Sequence, residues 1–209
     1  SWPCVRGWWW AGAVTLLAFA FVAVRGRAVL PMLAATGAFW VIASSVADIA
    51  GRIRLFRIPV GASWQRARML PRAALGAALA HAGVGVSVLG LAAMSQAQHR
   101  IVEVHVGQTE MLAGDAWTLT AVRAAPGPKY TALVATIEVR HDGHLVTVLH
   151  PSKRTFGSQG QTTTEVAIHT NLMSDLYGVL GDQHGTGTDA TYVLRLHYNP
   201  LAPWMWLGG

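Results

Sequence analysis

Apolar and polar positions along this chain follow two different periods, and the change falls near residue 98. Before it, three long apolar runs stand between clusters of arginine: Trp8–Val24, Ala28–Ala50 and Ala73–Met94, of 17, 23 and 22 residues. Runs of this length predict membrane-spanning helices, the first of them at the short limit. Helix is the state that satisfies every backbone polar group within an isolated span. Only "RGR" (25–27) separates the first two runs, which predicts a tight antiparallel hairpin, and Trp8, Trp9 and Trp10 are suited to a membrane interface. After residue 98 the pattern alternates. "HRIVEVHV" (99–106), "AWTLTAVR" (116–123), "YTALVATIEVR" (130–140), "HLVTVLHPSKRTF" (144–156), "TTTEVAIH" (162–169) and "TYVLRLHY" (191–198) predict about six strands. "HDG" (141–143) is a hairpin signal and "GDQHGTGTD" reads as a connection between strands. One short helix is expected over Met173–Leu180, packed through Leu172, Leu176, Val179 and Leu180 with Asp175 exposed.

The expected fold class is thus an integral membrane α-helical protein with three transmembrane helices plus the start of a fourth. It carries an extracytoplasmic, mostly-β domain, a small antiparallel barrel or sandwich. The boundaries read as a membrane domain over 1–98 (spans at about 8–24, 28–50 and 73–94, Arg-rich loop 51–72), a β domain over 99–199, and an apolar segment at 200–209. The chain starts at Ser1 and stops two tryptophans into "PLAPWMWLGG", as a piece of a longer protein would.

Charge gives the orientation. Residues 1–98 hold nine arginines and one acid, Asp48, whereas residues 99–209 hold seven basic and nine acidic residues. Arginines 52, 54, 57, 66, 68 and 72 crowd the loop between spans two and three, and such a loop faces the cytoplasm. Span three then runs outward and delivers the β domain to the extracytoplasmic side, which in a Gram-negative cell is the periplasm. The high isoelectric point comes from these membrane-flanking arginines, and no nucleic-acid-reading motif accompanies it. A single cysteine, Cys4, excludes an internal disulfide or a CxxC pair. Asp48, four residues before Arg52, has the spacing of a helical ion pair.

His81 interrupts an otherwise uncharged run, "ALAHAGVGVSVLGLAAM" (78–94). Ionisable residues at that depth are rare and usually functional. Ala77 and Gly85, four residues before and after it, leave a strip with almost no side-chain bulk, and Gly76, Ala80, Gly83, Ser87 and Gly90 form a second face of small residues. Two readings fit equally. The imidazole bonds a hydroxyl or carbonyl of a neighbouring helix in a close-packed bundle, or it is the axial ligand of a flat macrocycle's iron. The other eight histidines are scattered over strands and turns; "HDGH" (141–144) has the spacing to clip a metal across a hairpin, although two histidines flanking a turn are usually solvated. No GxSxG, HExxH or phosphate-binding loop is present, so catalytic residues are not identified.

The order of motifs adds to this reading. An Arg-rich loop is followed by "LAHAGVGVSVLG", "GPKYTA" (127–132), "LHPSKRTF" (149–156), "TTTEVAIHTNLMSDLYGVLGD" (162–182) and "NPLAPWMWLGG" (199–209). In this order the chain resembles the C-terminal third of the CcmF/CycK/NrfE family, the haem lyases of bacterial system I cytochrome c maturation. The likeness is strongest from about residue 66 onward. It implies a protein that takes haem from the chaperone CcmE and attaches it to the CxxCH motif of apocytochrome c, presented by a CcmH/CcmI-type partner. It also implies that His81 is one axial ligand of a resident haem b, beside Ala77 and Gly85, with the second ligand on a helix outside this stretch. The family's tryptophan-rich WWD segment and its flanking histidines have no counterpart here, and Trp8–Trp10 lack that pattern. The alternative is a membrane-tethered periplasmic scaffold without a cofactor.

Overall fold

A computed structural model describes residue 12 and residues 29–157 and 160–209. The expected span Trp8–Val24 and its hairpin lie outside the described residues. The described chain separates into a helical unit, which ends at Ser95 and resumes over Leu201–Gly209, and a β unit over Gln96–Pro200.

In the helical unit, α1 covers Val29–Arg52 and α3 covers Arg72–Ala93, with a short α2, Val60–Arg68, between them. Both long helices are apolar and long enough to cross a membrane. The hydroxyls on α1 are satisfied within the helix: Thr36 donates to the carbonyl of Met32, and Ser44 and Ser45 to that of Val41. Asp48 and Arg52 close an i, i+4 ion pair of 2.8 Å at its C-terminal end. Prolines 59 and 71 stand immediately before α2 and α3, where the missing N–H is no loss because the first turn leaves those donors unpaired anyway. After Pro200 the chain turns through Leu201 and forms α4, Trp204–Leu207.

Ten strands build the β unit: β1 Gln98–Val104, β2 Thr109–Leu112, β3 Asp115–Pro126, β4 Tyr130–His141, β5 His144–Leu149, β6 Ser152–Phe156, β7 Gln161–Glu165, β8 Ala167–Thr170, β9 Ser174–His184 and β10 Thr191–Pro200. They form two antiparallel sheets. One is ordered β1-β10-β9-β8. The other runs β2-β3-β4-β6-β7, with β5 paired to the far end of β4. Alternation along β3, β4, β9 and β10 turns one face of each sheet inward. Trp117, Leu119, Ile137 and Val139 from one sheet, and Leu176, Leu180, Leu194 and Leu196 from the other, form a single closed core.

Two expected strands are each two. "HLVTVLHPSKRTF" breaks at the buried Pro151, which cannot donate to a ladder, so β5 and β6 take opposite halves of β4. "TTTEVAIH" breaks at Val166, where the chain passes from one sheet to the other. The expected helix over Met173–Leu180 is a strand. In β9 Ser174, Leu176, Gly178 and Leu180 are buried, while Asp175, Tyr177 and Val179 alternate outward. Gly178, a poor residue mid-helix, here makes room for Leu149 and Ile137, whose Cδ1 atoms lie 3.3 and 3.6 Å from where a Cβ would be. Leu172 is exposed and outside the core. Asn171 starts the strand with an Asx turn, its Oδ1 accepting from the backbone N–H groups of Met173 and Ser174 at 2.7 and 2.8 Å.

Candidate functional site

Helix α3 presents three faces, and His81 stands at the border of two of them. On the first, Ala78, Gly85 and Leu89 are buried. A Cβ on Gly85 would lie 2.6 Å from Ile42 Cγ1 and 3.0 Å from the Ala38 carbonyl oxygen on α1, so the missing side chain sets how closely the two helices approach. On the second face, Gly83, Ser87 and Gly90 receive α4. Gly83 meets Gly208, Gly90 meets Leu201 and Met205, and Ser87 Oγ donates to the Met205 carbonyl at 3.0 Å. Gly76 has open space around it. The third face carries Ala77, Ala80, His81 and Val84, all exposed.

The ring of His81 is held by its own helix. Nδ1 lies 2.7 Å from the carbonyl oxygen of Ala77, one turn earlier. A carbonyl only accepts, so Nδ1 is the donor in this contact, and in the neutral ring Nε2 keeps its lone pair. Backbone fixing of one ring nitrogen to free the other is the arrangement that metal-ligating histidines generally adopt. Of the three positions singled out in the sequence, Ala77 therefore supplies a carbonyl as well as clearance, and Gly85 faces α1. The room beside His81 opens over Ala77, Ala80 and Val84. Among the described residues, no group of three or more His, Cys, Asp and Glu side chains could hold a metal ion.

The histidines of the β unit have separate surroundings. His141 and His144 face each other across the turn formed by Asp142 and Gly143, both in the left-handed region. The Nδ1 of His141 is engaged by the buried Asp115 at 2.7 Å. That hydrogen bond, with the charges of Asp142 and Asp115, raises the affinity of His141 for its proton. His184 contacts Glu103 at 3.0 Å. Thr191 and His184 together lower the pKa of the Glu103 carboxylate by hydrogen bonding to it. His99 and His197 are cross-strand partners on β1 and β10, their rings stacked with centroids 6.0 Å apart, and Tyr177 meets His197 edge-on at 5.2 Å. Burial, then the neighbouring His99 and Arg195, lowers the pKa of His197. In the sequence this row leaves no trace beyond one histidine in each of two strands, His99 and His197, that the fold pairs.

Comparison with known proteins agrees with this architecture. A family model described as "CcmF C-terminal beta-sandwich" matches residues 95–200. The chain belongs to the CcmF family. It is similar to the cytochrome c-type biogenesis protein CycK of Bradyrhizobium diazoefficiens, with 38% identity over 184 residues that cover 88% of this chain and 27% of that protein. The cytochrome c-type biogenesis protein ccl1 of Rhodobacter capsulatus is 36% identical over 197 residues, 93% of this chain and 28% of the relative. CcmF of Pseudomonas aeruginosa is 31% identical over 171 residues, 81% of this chain and 25% of the relative. A solved structure titled "Cytochrome c Heme Lyase CcmF" matches the whole chain and 33% of its own length, with a TM-score of 0.66 and 20% identity, a likeness of fold. The chain thus spans between a quarter and a third of these relatives.

Proposed function

We propose that this chain is the C-terminal part of a membrane haem lyase of cytochrome c maturation, and that His81 Nε2 is one axial ligand of a resident haem b. The observation that carries the reading is the Nδ1 bond of His81 to Ala77, which fixes the ring and frees Nε2 on an apolar, uncrowded face. The donor set suits the group: haem iron takes a neutral imidazole, and Ala77 and Ala80 add no bulk near the ring. A haem held there supplies one-electron transfer. His81 binds and the Ala77 carbonyl orients it. α1, packed closely against Gly85, fixes the neighbouring face of α3. The second axial ligand comes from a part of the parent protein outside this chain.

On this reading α1 and α3 lie in the bacterial inner membrane and the β unit is periplasmic. The β unit is a docking element for the haem chaperone CcmE, a CcmH/CcmI-type presenter and apocytochrome c, beside catalytic parts outside this chain. The test is the visible spectrum of the full-length protein with His81→Ala and with His81→Met. The alanine variant is expected to lose most of the Soret absorbance, and the methionine variant to keep haem with a raised reduction potential. An undiminished Soret band in His81→Ala overturns the haem assignment and leaves a membrane-tethered scaffold.

A further inference from the structure

The segment between α1 and α3 has a surface that neither the haem reading nor the β unit uses. The chain leaves α1 through a turn in which Arg54 and Phe56 have φ of 53° and 63°, a conformation non-glycine residues seldom adopt. Phe56 is 95% exposed there. Helix α2 follows, and Val60, Trp64 and Arg68, four residues apart, form one exposed lane along it, with Trp64 63% exposed. Ser63, next to Trp64 in the chain, is buried. The Arg68 guanidinium lies 5.8 Å from the centre of the Trp64 ring. From Gly51 to Arg72 the sequence has six arginines and no acid. Arg52 is matched by Asp48; among the described residues, no ion pair engages Arg54, Arg57, Arg66 or Arg68. Met69 adds a further exposed apolar side chain at the end of the helix.

We infer that residues 54–69 lie on the membrane surface, with Phe56, Val60 and Trp64 in the headgroup region and Arg54, Arg57, Arg66 and Arg68 on anionic phospholipid headgroups. Three observations select this occupant. The segment begins and ends on helices long and apolar enough to span, so both its ends emerge at one membrane face. The surface is basic without any compensating acid, which is complementary to the negative cytoplasmic leaflet and strengthens binding by about fivefold per arginine. Its exposed apolar residues are large and sit among the arginines, the composition of an interfacial helix rather than of a solvated loop. Pinned in this way, α2 holds the adjoining ends of α1 and α3 at a fixed depth. The inference rests on the membrane reading of those helices and is independent of the haem.

The test is hydrogen exchange of the full-length protein in lipid nanodiscs of phosphatidylcholine alone and of phosphatidylcholine with phosphatidylglycerol. Amides of 54–69 are expected to exchange at least tenfold more slowly in the anionic discs. Raising the salt to 1 M, or changing Arg54, Arg57, Arg66 and Arg68 to Gln, should erase that difference. Phe56→Ser with Trp64→Ser should lose protection in both kinds of disc. These exposed positions leave the helix contacts intact, and protection within α1 and α3 reports that the variants have inserted. Equal exchange in the two discs while α1 and α3 stay protected overturns the inference and assigns the surface to an acidic protein partner. Unprotected α1 and α3 would instead overturn the membrane reading beneath it.

Discussion

In the β unit twelve hydrophobic side chains from two sheets close on one another, with Leu119, Ile137 and Leu196 fully buried, whereas in α1 and α3 residues such as Leu30, Leu33, Val46, Leu79 and Leu91 stand exposed. The units are of similar size, so the contrast lies in what each uses as its apolar environment. The β unit supplies its own. On the proposed reading the helices leave theirs to a bilayer and to further protein, the relatives they match being three to four times longer than this chain. The difference separates two kinds of evidence. Patterning inside the β unit speaks to folding, and on the proposed reading an odd residue on an unfilled helix face speaks to function.

The strongest way to break the comparison is to cut the units apart. Residues 96–200 alone are expected to unfold cooperatively in urea. Trp117→Ala, which empties a site only 2% exposed, should lower that stability by about 3–5 kcal/mol. A non-cooperative melt of the excised unit would mean that its core is not self-sufficient. A smaller effect is expected on the helical side from a matched pair of glycines. Gly85→Val drives a branched side chain into Ile42 and the Ala38 carbonyl and should destabilise the detergent-solubilised protein by about 1–3 kcal/mol. Gly76→Val, with nothing within 4 Å, should stay within about 0.5 kcal/mol in the same assay. Equal effects would deny that α3 has one packed and one open face.

The smallest effect concerns pH. Asp115 raises the pKa of His141 in the folded protein, so their pairing contributes fully below the unfolded value of about 6.5 and is lost as pH rises through the higher folded value. The excised β unit should therefore lose a small increment of stability as pH rises above about 6.5, and His141→Gln should flatten that part of the profile. An identical slope in the variant would show that the pair is not formed in solution.

Much of this fold was legible because a period-two pattern survives wherever one face is buried. Strands β1, β3, β4 and β10 are close to where alternation put them. The failures have particular causes. Leu172, Leu176, Val179 and Leu180 satisfy a helical spacing and Leu176, Gly178 and Leu180 a strand spacing, and only the neighbouring strands decide between them. Strand β2 is four residues long and carries no run to detect. His81 was legible as an anomaly, since an imidazole in 22 uncharged residues is hard to miss. The Ala77 carbonyl that fixes its tautomer was not, because side-chain composition says nothing of a backbone acceptor. Likewise the equivalence of Ala77 and Gly85 as clearance depended on where α1 lies, which a single helix cannot reveal.

One pairing in the β unit bears on how the protein is made. Strand β1, the first to leave the helices, lies at a sheet edge and its backbone ladder pairs it with β10, the last, with Gln98 opposite Tyr198. Its partner is thus about 100 residues younger on the ribosome, and such distant pairings close slowly. Until synthesis reaches β10, β1 lacks the strand that completes its ladder and is an exposed edge open to pairing with other chains.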